Sequence, residues 1–196
     1  MAGTLTKLAG ADLATVAGYA TLPDEAKPAL DGCVEIGEAL GRLEAAGLAA
    51  EAVRLLAHAL PKREAVWWAC VCSAHTAPPD LPAPDRQARE AAELWVRQQR
   101  DEPRRAAMAQ AEAAGYQTPE AWAGVAAFWS GDSMAPLGQA PIPPGPQLTG
   151  SAVAGAIMLA AVRGGFDRRD ERLKRFLGGG RDIAAGGAGR LPPDPS

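Results

Sequence analysis

Apolar residues recur at helical spacing along most of this chain, and nowhere is there a sustained alternation of the kind a strand requires. From Asp31, a side chain suited to a helix N-cap, Val34, Ile36, Leu40 and Leu43 trace one face until Gly47, where glycine takes the left-handed conformation that closes a helix. Leu48 to Leu60 is the most clearly amphipathic stretch. Val53, Leu56 and Leu60 share a face with Leu55 and Ala59 beside it, and Glu51 and Arg54 point away. Pro61 ends that helix and opens the next. Lys62 to His75, KREAVWWACVCSAH, has no polar face after Glu64, so the pattern places it at the centre of the core.

Beyond the proline-dense TAPPDLPAPD, Asp85 caps a helix running to about Arg100, with Ala88, Ala91, Leu94 and Trp95 as its apolar stripe. Pro103 opens a helix over Arg104 to Ala114, closed by Gly115. Thr118-Pro119 is a strong start, a capping hydroxyl followed by proline at the first position, for a helix that carries Trp122, Val125, Phe128 and Trp129 and ends at Gly131. Residues 131–149 hold five prolines and three glycines and read as a long extended loop. Thr149 or Ser151 then caps an apolar helix from Ala152 to Arg163. Asp167 caps a charged one from Arg168 to Leu177, ended by Gly178-Gly179-Gly180.

The fold expected is therefore all-α, about seven helices in antiparallel hairpins, a bundle or a short repeat-like stack. Residues 1–22 form a weakly structured segment, although Asp12 to Tyr19 has the makings of a short helix. Residues 23–180 form one helical domain, and 181–196 a disordered Gly/Pro-rich tail. An echo of helix, proline, Glu-Ala and Trp-bearing helix at Pro61–Trp68 and Pro119–Trp129 is as compatible with coincidence as with stacked hairpins.

Composition sharpens the helical reading, because alanine is abundant and β-branched residues are sparse. The net charge of −3 shows no basic excess of the kind nucleic-acid modules carry. No nucleic-acid or membrane partner is expected. The longest apolar run, Ala152 to Val162, is far shorter than the roughly 18–20 residues of a membrane span, and the N-terminus lacks a signal-peptide pattern. Three cysteines, two of them only two residues apart, do not make a disulfide framework, which points to the cytoplasm.

The chemistry-bearing residues do not form a recognisable set. Cys70, Cys72 and His75 suggest a metal cluster, but at about 100° per residue Cys70 and Cys72 face nearly opposite ways. The remaining donors, Cys33 and His58, lack ligand spacing. A Cys72–His75 nucleophile pair would lie on a buried helix, where a thiol stays protonated. The runs Gly164-Gly165 and Gly178-Gly180 match neither phosphate-loop pattern and read as helix ends. Arg163, Arg168, Arg169, Arg172, Lys174 and Arg175 form a basic patch interrupted by Asp167, Asp170 and Glu171, which reads as a solvated, internally paired helix. No metal, cofactor or catalytic set is expected. The alternative is an enzyme whose polar groups, His58, Glu64, His75 or Asp132, converge only in three dimensions.

The aromatic residues are unusual: five Trp against three Phe and two Tyr. Adjacent Trp67 and Trp68 diverge by about 100°, so one apolar face cannot bury both. Exposed tryptophan is enriched at binding hot spots. Trp67, Trp68, Trp122 and Trp129, with Met134, Pro136 and Ile142 of the loop that follows, are the candidate partner-binding residues. The expected role is a non-enzymatic protein–protein interaction module.

Two strings, LAHALPKREAVWWACVCSAH (Leu56 to His75) and AWAGVAAFWSGDSMAP (Ala121 to Pro136), are similar to an uncharacterised family of small helical bacterial proteins, across roughly residues 45–180. Members of that family often lie near genes for type VI secretion effectors and their loading adaptors. The resemblance implies an accessory or adaptor role with such an effector or adaptor as the partner, and it implies no catalytic residues.

Overall fold

The computed structural model describes residues 4–194 and contains, among them, ten α-helices, two short 3-10 turns and no strand. The helices are α1 (Leu13–Ala20), α2 (Lys27–Leu30), α3 (Ile36–Ala45), α4 (Ala49–Ala59), α5 (Lys62–His75), α6 (Ala83–Gln98), α7 (Asp101–Ala113), α8 (Pro119–Trp129), α9 (Leu148–Val162) and α10 (Arg169–Ala184). The excess over about seven comes chiefly from the N-terminal region. There α1 falls on the short helix expected at Asp12 to Tyr19, and the single-turn α2 carries too few large side chains to mark a face. Asp12 caps α1, accepting from the Thr15 N–H at 2.8 Å, and Leu13, Val16 and Ala20 turn inward, where α1 packs on α4.

Local chemistry explains the best-placed ends. Pro61 precedes α5, and Thr118 caps α8 with its hydroxyl on the Ala121 N–H at 3.3 Å. Four expected caps are different. Asp31 follows the end of α2, and α3 starts at Ile36 after Glu35. α6 starts at Ala83, so Asp85 sits in its first turn and accepts a hydrogen bond from the Thr118 hydroxyl at 2.8 Å, tying α6 to the start of α8. α9 starts at Leu148 with no side-chain cap, which places Thr149 and Ser151 inside the helix. Arg168, not Asp167, precedes α10.

α9 occupies the centre. It packs on α1, α4, α5, α8 and α10, and Ala152, Val153, Ala156, Ile157, Ala160 and Ala161 are all buried. The expectation had centred the core on α5, which does contact α6, α8, α9 and α10. The small residues of α9 make the difference, because they let five neighbours approach its backbone. At Gly150 an added Cβ would lie 2.3 Å from the His58 ring, so only glycine fits there.

Gly178-Gly179-Gly180 is likewise not the helix end that its composition suggests. α10 runs through all three to Ala184. A Cβ on Gly180 would lie 2.7 Å from both Leu56 and Trp68, and one on Gly179 would lie 3.2 Å from the Gly189 carbonyl. These glycines are sites of close approach. Gly178 is exposed with nothing within 4 Å of its would-be Cβ. Gly178→Ala should therefore stabilise the chain by about 0.5–1 kcal/mol, the helix-propensity gain. Gly180→Ala should destabilise it by about 1–3 kcal/mol through overpacking. Urea unfolding of the two variants measures the contrast. Equal effects of one sign would contradict the placement of α10.

Candidate functional site: a pinned loop and a C-terminal strap

The proline-rich loop between α8 and α9 is held at defined points. Arg105 on α7 donates to the Ala135 carbonyl at 2.8 Å. The Ser133 hydroxyl accepts from the N–H groups of both Ala135 (3.1 Å) and Ile142 (3.0 Å), and the Met134 N–H donates to the Ile142 carbonyl at 2.7 Å. The two arms are thus stitched together near their base. Asp101 braces the arginines beneath, accepting from Arg105 Nε at 2.6 Å and Arg104 Nε at 2.8 Å. Those hydrogen bonds, Arg105's before Arg104's, hold its carboxyl below the usual range. Arg104 is buried, stacks 4.8 Å over the Phe128 ring and donates to the Phe128 carbonyl. With its base fixed, the loop presents Leu137, 77% exposed, and Ile142, 56% exposed.

The seven candidate residues divide by environment. Trp68 is fully buried, its indole N–H on the Phe176 carbonyl at 2.8 Å, so it has no surface to offer a partner; the inward direction along α5 claims it. Trp67, about 100° round the helix, is half-buried and donates to the Ala188 carbonyl at 2.8 Å. Trp122 and Trp129 are half-buried and meet edge-to-face at 6.4 Å, with the Trp122 N–H on the Tyr116 carbonyl at 3.0 Å. Met134 is half-buried, whereas Pro136 and Ile142 are exposed.

The residues proposed for a dispersed catalytic site are not brought together. Glu64 lies 3.3 Å from Lys7 and 3.5 Å from Arg63. His58 packs by the Tyr19 ring and Gly150, and burial lowers its pKa. Asp132 is exposed in the loop, and His75 ends α5. No group of three or more His, Cys, Asp or Glu side chains suited to a metal occurs among the described residues. Burial pushes the Cys70 and Cys72 thiols well up, which keeps them protonated.

The basic patch is partly turned inward. Arg163 holds the fully buried Glu120 through two hydrogen bonds, Nη1 to Oε1 at 3.0 Å and Nη2 to Oε2. Arg172 is buried and donates to the Ala161 and Arg163 carbonyls. Arg169 and Arg175 pair at the surface with Asp170 and Glu171.

Arg172 and Arg168 also bind a residue of the C-terminal Gly/Pro-rich segment, whose composition predicts disorder. Asp194 accepts from Arg172 Nε (3.0 Å) and Nη2 (2.9 Å) and from Arg168 Nη2 (2.8 Å), and its side chain is 7% exposed. Its N–H donates to the His75 carbonyl at 2.7 Å, and His75 Nδ1 contacts the Pro192 carbonyl. Upstream, the Gly189 N–H donates to Asp182 at 2.8 Å. Residues 186–194 are thus a strap laid over α5 and α10. Glycine and proline content argued for disorder, but Gly189 adopts φ +62° and is buried over Gly179, an approach that side chains would block.

Burial opposes ionisation of Asp194, but Arg172's hydrogen bonds, with the charges of Arg172, Arg168 and His75, outweigh it and lower the carboxyl's pKa. A depressed folded-state pKa stabilises the docked state above the ordinary carboxylate value and loses that contribution as acid titrates through the lowered one. The strap should hold at pH 5–7 and loosen only as the pH falls below about 4 into the lowered carboxyl's range. Hydrogen exchange at the Trp67 indole N–H reports this, and unchanged protection at pH 2.5 would contradict it.

What these contacts define is a small helical protein that fixes two lengths of extended backbone against its helices, one internal and one C-terminal. Residues 39–184 match a family of unknown function (DUF6931), and the chain belongs to that family. The match runs from within α3 to the end of α10. No curated protein and no solved structure matches the chain. No helix among the described residues is long and apolar enough to cross a membrane.

Proposed function

We propose that the chain is a protein–protein interaction module that docks a partner through the pinned 131–147 loop, and that its role is that of an accessory or adaptor for type VI secretion effectors. The supporting observation is Leu137 and Ile142 standing in solvent on a backbone already fixed by Ser133, Met134 and Arg105. Apolar side chains on a pre-ordered loop bind with little further loss of conformational freedom. The secretion assignment rests on the resemblance of Leu56 to His75 and Ala121 to Pro136 to proteins with that gene setting.

The test is co-purification of the tagged chain with effectors and adaptors encoded beside it. The same experiment is run on Leu137→Asp/Ile142→Asp, with circular dichroism to show the helices intact. The wild-type chain should retain one such protein, and the double variant should lose at least nine-tenths of it. Equal recovery by both would remove the loop from the interface, and no recovery by either would remove the adaptor role.

A further inference from the structure

We propose that the face of α5 and α10 beneath the strap is a peptide-binding groove, and that its partner is an extended segment of another protein carrying a glycine followed five residues later by a carboxylate. The chain's own residues 186–194 show the pose and act as the resident competitor. This site is separate from the 131–147 loop and stands or falls independently of it.

The way the strap is held carries the inference. Trp67 donates to the Ala188 carbonyl, Asp182 accepts from the Gly189 N–H, the His75 ring meets the Pro192 carbonyl, and the His75 carbonyl accepts from the Asp194 N–H. All four address peptide backbone. Recognition of that kind reads an extended chain with little regard to its side chains. Side-chain selectivity resides in two places. At Gly189 the backbone is left-handed and an added Cβ would lie 2.5 Å from Ile183, so the groove demands glycine. At Asp194 two arginines and a histidine converge on one carboxylate.

Two further observations favour exchange over a permanent tie. Among strap residues 186–194 Gly189 and the Asp194 side chain are buried, Leu191 is half-buried and the rest are exposed, so little apolar surface fastens the segment. Segments with little apolar burial open at lower free energy than the core. The resident strap is also an incomplete ligand. His75 is 2% exposed, and its Nε2 lies 3.3 Å from Asp194 Oδ1 yet makes no hydrogen bond. A ligand group placed in line with that nitrogen, a donor where Nδ1–H already serves the Pro192 carbonyl, would satisfy a buried polar atom that the chain's own tail leaves without a hydrogen bond.

The test measures fluorescence anisotropy of a labelled, C-terminally amidated peptide with the sequence of residues 186–194, titrated with the full-length chain. Asp194→Arg sets a cation against Arg168 and Arg172 and should free the strap; tryptic cleavage after Arg190 checks the release. The Asp194→Arg chain should bind the peptide at least tenfold more tightly than the wild type. A peptide with Asn for its final Asp, or Val for its fourth-position Gly, should bind at least tenfold more weakly. Should Asp194→Arg fail to fold, Gly189→Val alters only the strap and gives the same readout.

A freed strap without a gain in peptide affinity would overturn the proposal. So would a strap that neither substitution releases, which would make it a fixed part of the fold. Self-association of the wild-type chain that disappears in Asp194→Arg would overturn it in favour of strap exchange between two copies.

Discussion

Trp68→Ala should lower the stability of the chain by about 3–5 kcal/mol, the range for a large aromatic side chain truncated in a packed core. Trp68 is fully buried and shares its contact volume with Leu56 and the close approach of Gly180. Those neighbours belong to α4 and α10, so the truncation opens a void where three helices meet. A helix backbone cannot collapse into such a void as a flexible loop can, and the cavity persists. The indole N–H on the Phe176 carbonyl is lost as well. Thermal unfolding should shift down by roughly 10 °C for a chain of this length. Trp68→Phe, which keeps most of the volume and loses the N–H, should cost about 1–2 kcal/mol. A Trp68→Ala loss below about 1 kcal/mol would mean that α4, α5 and α10 do not meet as described.

Glu120→Gln should cost about 3 kcal/mol. Glu120 is fully buried in the first turn of α8, and its carboxylate is met by Arg163 at the C-terminal end of α9. Removing one charge of a buried pair strands the other, at about 3–5 kcal/mol. The expected value lies at the low end because the Arg163 side chain remains 19% exposed and regains some water. Arg163→Met alone should cost at least as much, since it leaves the carboxylate with no access to solvent. Glu120→Leu with Arg163→Met should recover a large part of either loss, because apolar replacement of both partners abolishes the desolvation cost. Chemical denaturation of the three variants gives the coupling. Simple additivity would show that the pair is not coupled.

Helices with strong local signals were legible from the sequence. α5 runs over the predicted Lys62 to His75, between Pro61 and the Thr76 turn, and α8 begins at the Thr118-Pro119 signature. On α6, Arg86 with Glu90 and Arg89 with Glu93 stand four residues apart, the spacing of helix ion pairs, and they meet at 3.8 Å and 3.4 Å. What escaped has one physical root. Gly178 to Gly180 was read by backbone preference, which favours a stop, yet tertiary contact with Leu56, Trp68 and the strap makes glycine the residue that fits inside the helix. The strap escaped for the same reason. Part of its order comes from partners over 100 positions away in sequence, Trp67 and His75, and no local window contains them. One signal was available: an isolated Asp194 downstream of an arginine-rich helix with more cations than nearby acids. Divergence by about 100° correctly separates Trp67 from Trp68, but periodicity cannot say that the chain's own tail would cover Trp67.

The central position of α9 bears on how the chain is made. Its residues come three-quarters of the way along the polypeptide, after the helices α1, α4, α5 and α8 that it holds together. A nascent chain emerging from the ribosome must therefore display the apolar sides of those helices until Leu148–Val162 clears the exit tunnel. Synthesis proceeds at about 5–20 residues per second, so that exposure lasts for seconds, long enough for a chaperone to engage. A stalled product ending before α9 should collect in the insoluble fraction even though it contains eight of the ten helices.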